Sequence, residues 1–263
     1  MTTLLGPVRM MFGLAVDSVT LHEAVEVCRQ AVHDRRRLLV GVVNAAKVVN
    51  LRRDPVLRDA ILSCDLLLAD GQSIVWAGNV LDSPLPERVT GIDLFSALLD
   101  VADEEHLAVY LLGAKPEVVS ELGRKIRVTH PGVRLVGVRD GYFSDDEIPE
   151  LVADICHSGA DMLFLGMSSP RKETFLARYA DELCVPVLHG VGGSFDVLAG
   201  LTRRAPTSWQ RMGFEWAYRL AQEPRRLWRR YLSTNTRFVW QVAKERVRPT
   251  PPLGSGPHHI HHV

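Results

Sequence analysis

The chain has 263 residues, of which 46% are hydrophobic, enough to bury a sizeable core as one large domain or one domain plus an appendage. No apolar run reaches the roughly 18 residues of a membrane span, and the N-terminus lacks the charged-then-apolar layout of a signal segment, so an intracellular protein is expected. The 31 Lys/Arg balance the 31 Asp/Glu overall, but residues 203–248 hold 12 basic residues against three Glu.

In chain order, TLHEAVEVCRQAVHD reads as an amphipathic helix with Thr20 as its cap. The runs LLVGVV (38–43), DLLLAD (65–70) and AVYLLG (108–113) read as strands, followed by the helix PEVVSELGRKI with Pro116 in its first turn. A strand RLVGVR (134–139) precedes SDDEIPELVADICHSG, a helix with capping-box spacing of Ser144 and Glu147 and with Gly159 at its end. The strands DMLFLGM (161–167) and VPVLHGV (185–191) complete the set. All are rich in Val and Leu rather than alternating, as in strands covered on both faces, and the βα alternation predicts a parallel, doubly wound α/β sheet. Cys28, Cys64, Cys156 and Cys184 are far apart without a CxxC pair, which favours buried reduced thiols over a disulfide or a metal site.

Ligands of such sheets bind beyond the carboxyl ends of the strands. There the sequence places Asn44, Asp70-Gly71, Gly113-Ala114-Lys115, Asp140-Gly141-Tyr142, Gly166-Met167-Ser168-Ser169 and Gly190-Val191-Gly192-Gly193. Glycines admit a ligand close to the backbone, and the helix N-termini behind them favour phosphate. Asp70 ends a wholly apolar strand, either as a carboxylate facing a substrate or as ordinary turn chemistry bonded to nearby amides. The first strand leads into NAAKVV, not GxGxxG, and neither a P-loop nor a DxD pair occurs.

Together, ADGQSIVWA, LPERVTGIDLF, LLGAKPEVV, RDGYF, GMSSPRKETF, GVGGSFDVLAGLTRRAP and EWAYRLAQEPRRLWRRYL resemble the WecG/TagA/CpsF glycosyltransferases, glycosyltransferase family 26, over roughly residues 8–235. The resemblance implies a Rossmann-like variant sometimes called GT-E. It also implies inverting transfer of a hexose from a UDP-sugar to a sugar on a polyprenyl diphosphate, without metal or other cofactor, in cell-surface polysaccharide synthesis. Asp70 then corresponds to the catalytic base, which takes the acceptor hydroxyl proton. Asn44 orients a substrate, and Arg88 contacts the diphosphate unless it merely pairs with Asp93. Asp196 meets the uracil or ribose. Tyr142 packs near the uridine or fills the core. Gly113, Gly166, Gly192 and Gly193 line the nucleotide cleft. The chain departs from the family at Val42, where Thr is common, and at Lys172, where a Gln is usual. Lysine there is a point charge suited to the departing UDP. N-acetylhexosamine, hexose and uronic acid donors all stay open.

The domain division expected is a catalytic unit over 1–202, a basic helical appendage over 203–248 and a disordered tail over 249–263, with truncation near 202 sparing the fold. The appendage reads as two helices broken at Pro224, bearing Trp209, Met212, Trp216, Leu220, Leu227, Trp228, Tyr231, Leu232, Phe238 and Val242 at helical spacing. Such an Arg- and Trp-rich face suits an anionic bilayer surface, at about 1 kcal/mol per basic residue, or else packs its tryptophans on the domain. The resemblance adds Arg219, Arg226 and Arg229 as arginines reaching the diphosphate, and a peripheral position on the inner face of the cell membrane. Homo-oligomerisation is left open. The rivals are a nucleotide-sugar oxidoreductase or epimerase, and a nucleic-acid-binding module built on the basic tail; nucleic acid is not expected as a partner.

Overall fold

Six apolar runs of the sequence lie side by side in one sheet. The computed structural model describes residues 6–206, 209, 215–222 and 224–254; of residues 216, 219, 222, 224–227 and 229–232 it describes the backbone alone. The strands are β1 (Val8–Met11), β2 (Leu14–Asp17), β3 (Leu38–Val43), β4 (Leu66–Ala69), β5 (Ala108–Gly113), β6 (Arg134–Arg139), β7 (Met162–Gly166) and β8 (Val187–Gly190). The helices are α1 (Leu21–His33), α2 (Ala45–Asn50), α3 (Pro55–Leu62), α4 (Gln72–Val80), α5 (Gly91–Glu104), α6 (Pro116–Thr129), α7 (Ile148–His157), α8 (Arg171–Tyr179), α9 (Ser194–Leu198), α10 (Glu215–Gln222) and α11 (Pro224–Val247). The main sheet has the order β4-β3-β8-β7-β5-β6, and every neighbouring pair in it is parallel. This is the expected doubly wound, Rossmann-like α/β architecture.

Residue parity along each strand sends side chains to opposite faces. Leu38, Val40 and Val42 of β3 pack with Phe95, Leu98, Val119 and Phe195 on the face covered by α1, α5, α6 and α9. Leu39, Leu112, Leu165 and Leu188 face α7 and α8 instead. Helix starts follow the local chemistry. Thr20 and Glu23 form a capping box on α1, Ser144 and Glu147 form another ahead of α7, and Gly159 turns the chain at φ +66 behind it.

The aspartates that open DLLLAD and DMLFLGM serve the sheet's amino edge. Asp65 accepts the Leu39 N–H over 2.7 Å, and Asp161 accepts the Ala108 N–H over 2.8 Å. The outer edge of β4 is closed similarly. The buried Asp17, at the end of the β1–β2 hairpin, accepts the Leu67 N–H over 2.7 Å, so an otherwise open strand edge is blunted. The sequence reading did not anticipate that hairpin. Its turn, Phe12-Gly13, has both residues at positive φ, 57° and 78°, the requirement of a tight hairpin turn, without the usual Asn-Gly signal.

Three expectations change. Cys156 and Cys184 form a disulfide, because the end of α7 and the loop before β8 bring their Cα atoms to 4.9 Å; only Cys28 and Cys64 are buried free thiols, both pushed up to about 12 by burial. The segment expected to be a disordered tail begins as ordered chain: Thr250 donates to Glu245, and the Leu253 N–H to Gly13 O over 3.0 Å. Residues beyond 254 lie outside the described residues. The described helices end at Gln222 and begin at Pro224, with the residue between them outside the described residues, and the second half of α11 belongs to the core. Phe238 packs on Phe12 with ring centroids 5.7 Å apart, and buried Glu245 accepts the Phe12 N–H over 3.0 Å. Truncation near residue 202 would therefore strip the core rather than detach an appendage.

Candidate active site

The adjacency of β3 and β4 brings Asn44 and Asp70 together. Asn44 caps α2, its Oδ1 accepting the Lys47 N–H over 3.1 Å, while its Nδ2 donates to Asp70 Oδ2 over 3.4 Å. The Asp70 N–H is tied to Val43 O over 2.8 Å, and Gly71, at φ +143, turns the chain into α4. Among the described residues no backbone amide donates to the Asp70 carboxylate, so the turn-chemistry reading of that side chain is not what the structure contains. Asp70 is half-buried, and its field is felt by Lys172, His189 and Arg204.

Lys172 enters from α8, which follows the cis Ser169–Pro170 peptide. The side chain is buried, and Nζ donates to Gly190 O over 3.0 Å beneath the glycine loop behind β8. Burial and then the Lys47 charge push the ammonium down from the usual lysine range, opposed by Glu173 and Asp70. Lys47 is buried as well, 2.8 Å from Glu173 Oε1, with its Nζ also donating to Val42 O over 2.6 Å. Burial alone would raise the Glu173 carboxyl, but the two lysines outweigh it and hold it low. The Val42 side chain lies in the core against Gly91.

Arg88 has the partner expected, Asp93 at 3.9 Å, and one that was not, Glu215 of α10 at 3.3 Å. Arg204 joins them, with Nη1 2.5 Å from Asp93 Oδ1 and Nε 3.8 Å from Glu215 Oε1. Burial would raise the Asp93 carboxyl, yet Arg204, Thr90 and Arg88 together hold it below the usual carboxylate range. Arg204 and Glu215 stand inside the motifs GLTRRAP and EWAYRL, which was the only sequence signal for them. His189 was also passed over. It is fully buried in β8 between Val40 O and Gly91 O, and burial pushes its imidazole down to about 4, so it is neutral at pH 7.

The glycines divide. A Cβ on Gly113, which sits at φ +123, would lie 2.7 Å from the Gly166 backbone, and one on Gly166 would enter the Phe195 ring; both are small because their neighbours need the space. Gly192 lies by Lys172 Nζ, and a Cβ on Gly193 would meet nothing within 4 Å among the described residues. Tyr142 is 70% exposed beyond β6 and is not core filler. Asp196 stands in the first turn of α9. Arg219 lies on α10 and Arg226 and Arg229 on α11 by backbone; their side chains fall outside the described residues, as does Met212 altogether. Among the described residues no three His, Cys, Asp or Glu side chains are placed to hold a metal ion, and no helix is long and apolar enough to cross a membrane.

Comparison with known proteins gives the family. The model of the family described as "Glycosyl transferase WecG/TagA/CpsF family" matches residues 9–252. A relative from Bacillus spizizenii, an N-acetylglucosaminyldiphosphoundecaprenol N-acetyl-beta-D-mannosaminyltransferase, is 36% identical over 200 residues, which is 76% of each chain. This chain belongs to the WecG/TagA/CpsF glycosyltransferases, and it is an enzyme of sugar transfer.

Proposed function

We propose that the enzyme moves a hexose from a UDP-sugar to a sugar carried on a polyprenyl diphosphate, with inversion and without a metal. The observation that carries this reading is the Asn44–Asp70 pair at the adjoining ends of β3 and β4, a carboxylate whose field reaches Lys172 and Arg204. Asp70 takes the proton of the acceptor hydroxyl as that oxygen attacks the anomeric carbon; the bond to the UDP oxygen breaks, and the electron pair leaves with UDP. Asn44 holds the carboxylate in register. Arg88 and Lys172 supply positive charge that stabilises the departing diphosphate, the part a divalent ion plays elsewhere. The relative's acceptor, named as a diphosphoundecaprenol carrying N-acetylglucosamine, supports a lipid-linked acceptor here, and its N-acetylmannosamine makes N-acetylhexosamines the first donors to try.

A lipid-linked acceptor requires contact with the bilayer. Exposed Trp228 and Trp240 on basic α11 support that contact, Trp240 carrying Lys244 over its ring at 5.4 Å. A position on the inner face of the membrane follows from the same reading.

The test is a screen of UDP-sugars against a short-chain prenyl-diphosphate sugar with mass detection, in the presence of a chelator. A product heavier by one hexose unit is expected. Hydrolysis alone, or transfer only when divalent ion is restored, would overturn the reaction or its metal independence respectively. Co-sedimentation with phosphatidylglycerol vesicles, lost at high salt, is expected for the intact chain.

A further inference from the structure

Among the described residues, two guanidinium groups, Arg88 and Arg204, converge on two carboxylates, Asp93 and Glu215, so the charges there pair off. The carboxylates are held differently. Asp93 belongs to the first turn of α5, where its N–H binds Thr90 Oγ1 over 3.1 Å and its Oδ2 accepts the Thr90 hydroxyl over 2.6 Å. Glu215 starts the eight-residue α10 in the basic C-terminal region and reaches the cluster across 127 positions of sequence from Arg88. Arg204 is meanwhile incompletely used. Its Nη1 is bound to Asp93, but its buried Nε and Nη2 have no hydrogen-bond partner among the described residues. Buried donors of that kind ask for an acceptor.

We propose that Arg204 is a second diphosphate-binding residue beside Arg88, and that Glu215 occupies the anion's seat until a diphosphate displaces it. A diphosphate offers several oxygens to a pair of planar forks, whereas one glutamate at 3.3 and 3.8 Å satisfies neither fork fully. Adding the ligand with Glu215 still in place would set like charges against each other, and Glu215 is the carboxylate not bound into the α5 cap. Its departure carries α10 with it, so occupancy of the diphosphate site and the placement of the basic C-terminal region are linked. This inference rests on the proposed reaction for the identity of the anion. Two sources share that chemistry, the nucleotide donor and the lipid acceptor.

Calorimetric titration of the full chain tests it with three probes: inorganic diphosphate, UDP and farnesyl diphosphate. Glu215→Gln keeps the shape and removes the competing charge; it is expected to tighten diphosphate binding about tenfold, a gain that misfolding cannot produce. Arg204→Gln is expected to weaken it about 10- to 100-fold, with Arg204→Lys in between. The same pattern with UDP assigns the donor's diphosphate, and with farnesyl diphosphate the acceptor's. Unchanged or weaker binding in Glu215→Gln, or wild-type affinity in Arg204→Gln, overturns the proposal. Sugar transfer by a wild-type enzyme whose variants bind alike leaves the reaction standing and removes only this role. The expected shifts without transfer from any UDP-sugar do the reverse.

Discussion

At the amino edge of the sheet, Asp65 and Asp161 each receive a strand N–H at 2.7–2.8 Å, and Asp161 is further paired with Arg35 at 2.6 Å. At the carboxyl edge, Asp70 flanks a strand of the same composition, yet among the described residues its carboxylate meets the Asn44 amide alone, at 3.4 Å. In the sequence these aspartates look alike, each bordering a run of Leu, Met or Phe. Their difference is in what they are committed to. A carboxylate that accepts backbone amides is part of the sheet and gains stability from hydrogen bonds worth about 1 kcal/mol each. One to which no described backbone amide donates, beside an amide side chain and within the field of a lysine and an arginine, has no such part in the sheet. The glycines at the carboxyl edge divide along the same line, Gly113 and Gly166 consumed by packing and Gly193 without a described atom within 4 Å of an added Cβ.

The largest effect expected from this contrast is at Asp70. Asp70→Asn should lower kcat about 10²- to 10⁴-fold while UDP affinity and the urea midpoint hold. Turnover at the wild-type rate would mean another base does the work.

Between the two edges lies His189, and its buried imidazole makes a prediction in pH. The unfolded chain takes up this proton near pH 6.5, the folded one only near 4. In that window the unfolded state binds more protons, so stability falls as pH drops from 6.5 to 4, by up to about 3 kcal/mol from this group. Nitrogen-15 NMR should find one imidazole still neutral at pH 5 in the folded enzyme. If every histidine is charged at that pH, this account of the core is wrong.

Asp161→Ala should show the opposite signature to Asp70→Asn, costing about 1–3 kcal/mol in urea unfolding with kcat unchanged in the folded enzyme. A loss of kcat at constant stability would erase the distinction between the edges. Smallest is Gly193→Ala, expected to move stability by no more than about 0.5 kcal/mol because its Cβ meets nothing, while raising the KM for the UDP-sugar. An unchanged KM would take this loop out of the donor site.

Much of this was legible in one dimension because it depends on local chemistry. The six sheet strands show as Val- and Leu-rich runs, and the caps at Thr20 and Ser144 as polar residues three positions before a Glu. Asn44 and Asp70 stand out as polar residues at the ends of apolar strands. The hairpin at Val8–Asp17 gave no such sign, since Phe12 in a positive-φ turn breaks the usual preference and is held by Glu245, 233 positions away. The disulfide between Cys156 and Cys184 and the Arg88–Glu215–Arg204 cluster escaped for the same reason: each joins elements whose proximity no local pattern encodes.

Periodicity and capping thus determine, from the sequence alone, where strands and helices begin, and with them that polar groups gather at the strand ends. What each of those groups is free to do was decided only by the assembled fold. A hydrogen-bonding side chain is defined by its partners, and here Asp161, Lys172 and Arg88 each find one on another element, in Ala108, Gly190 and Glu215.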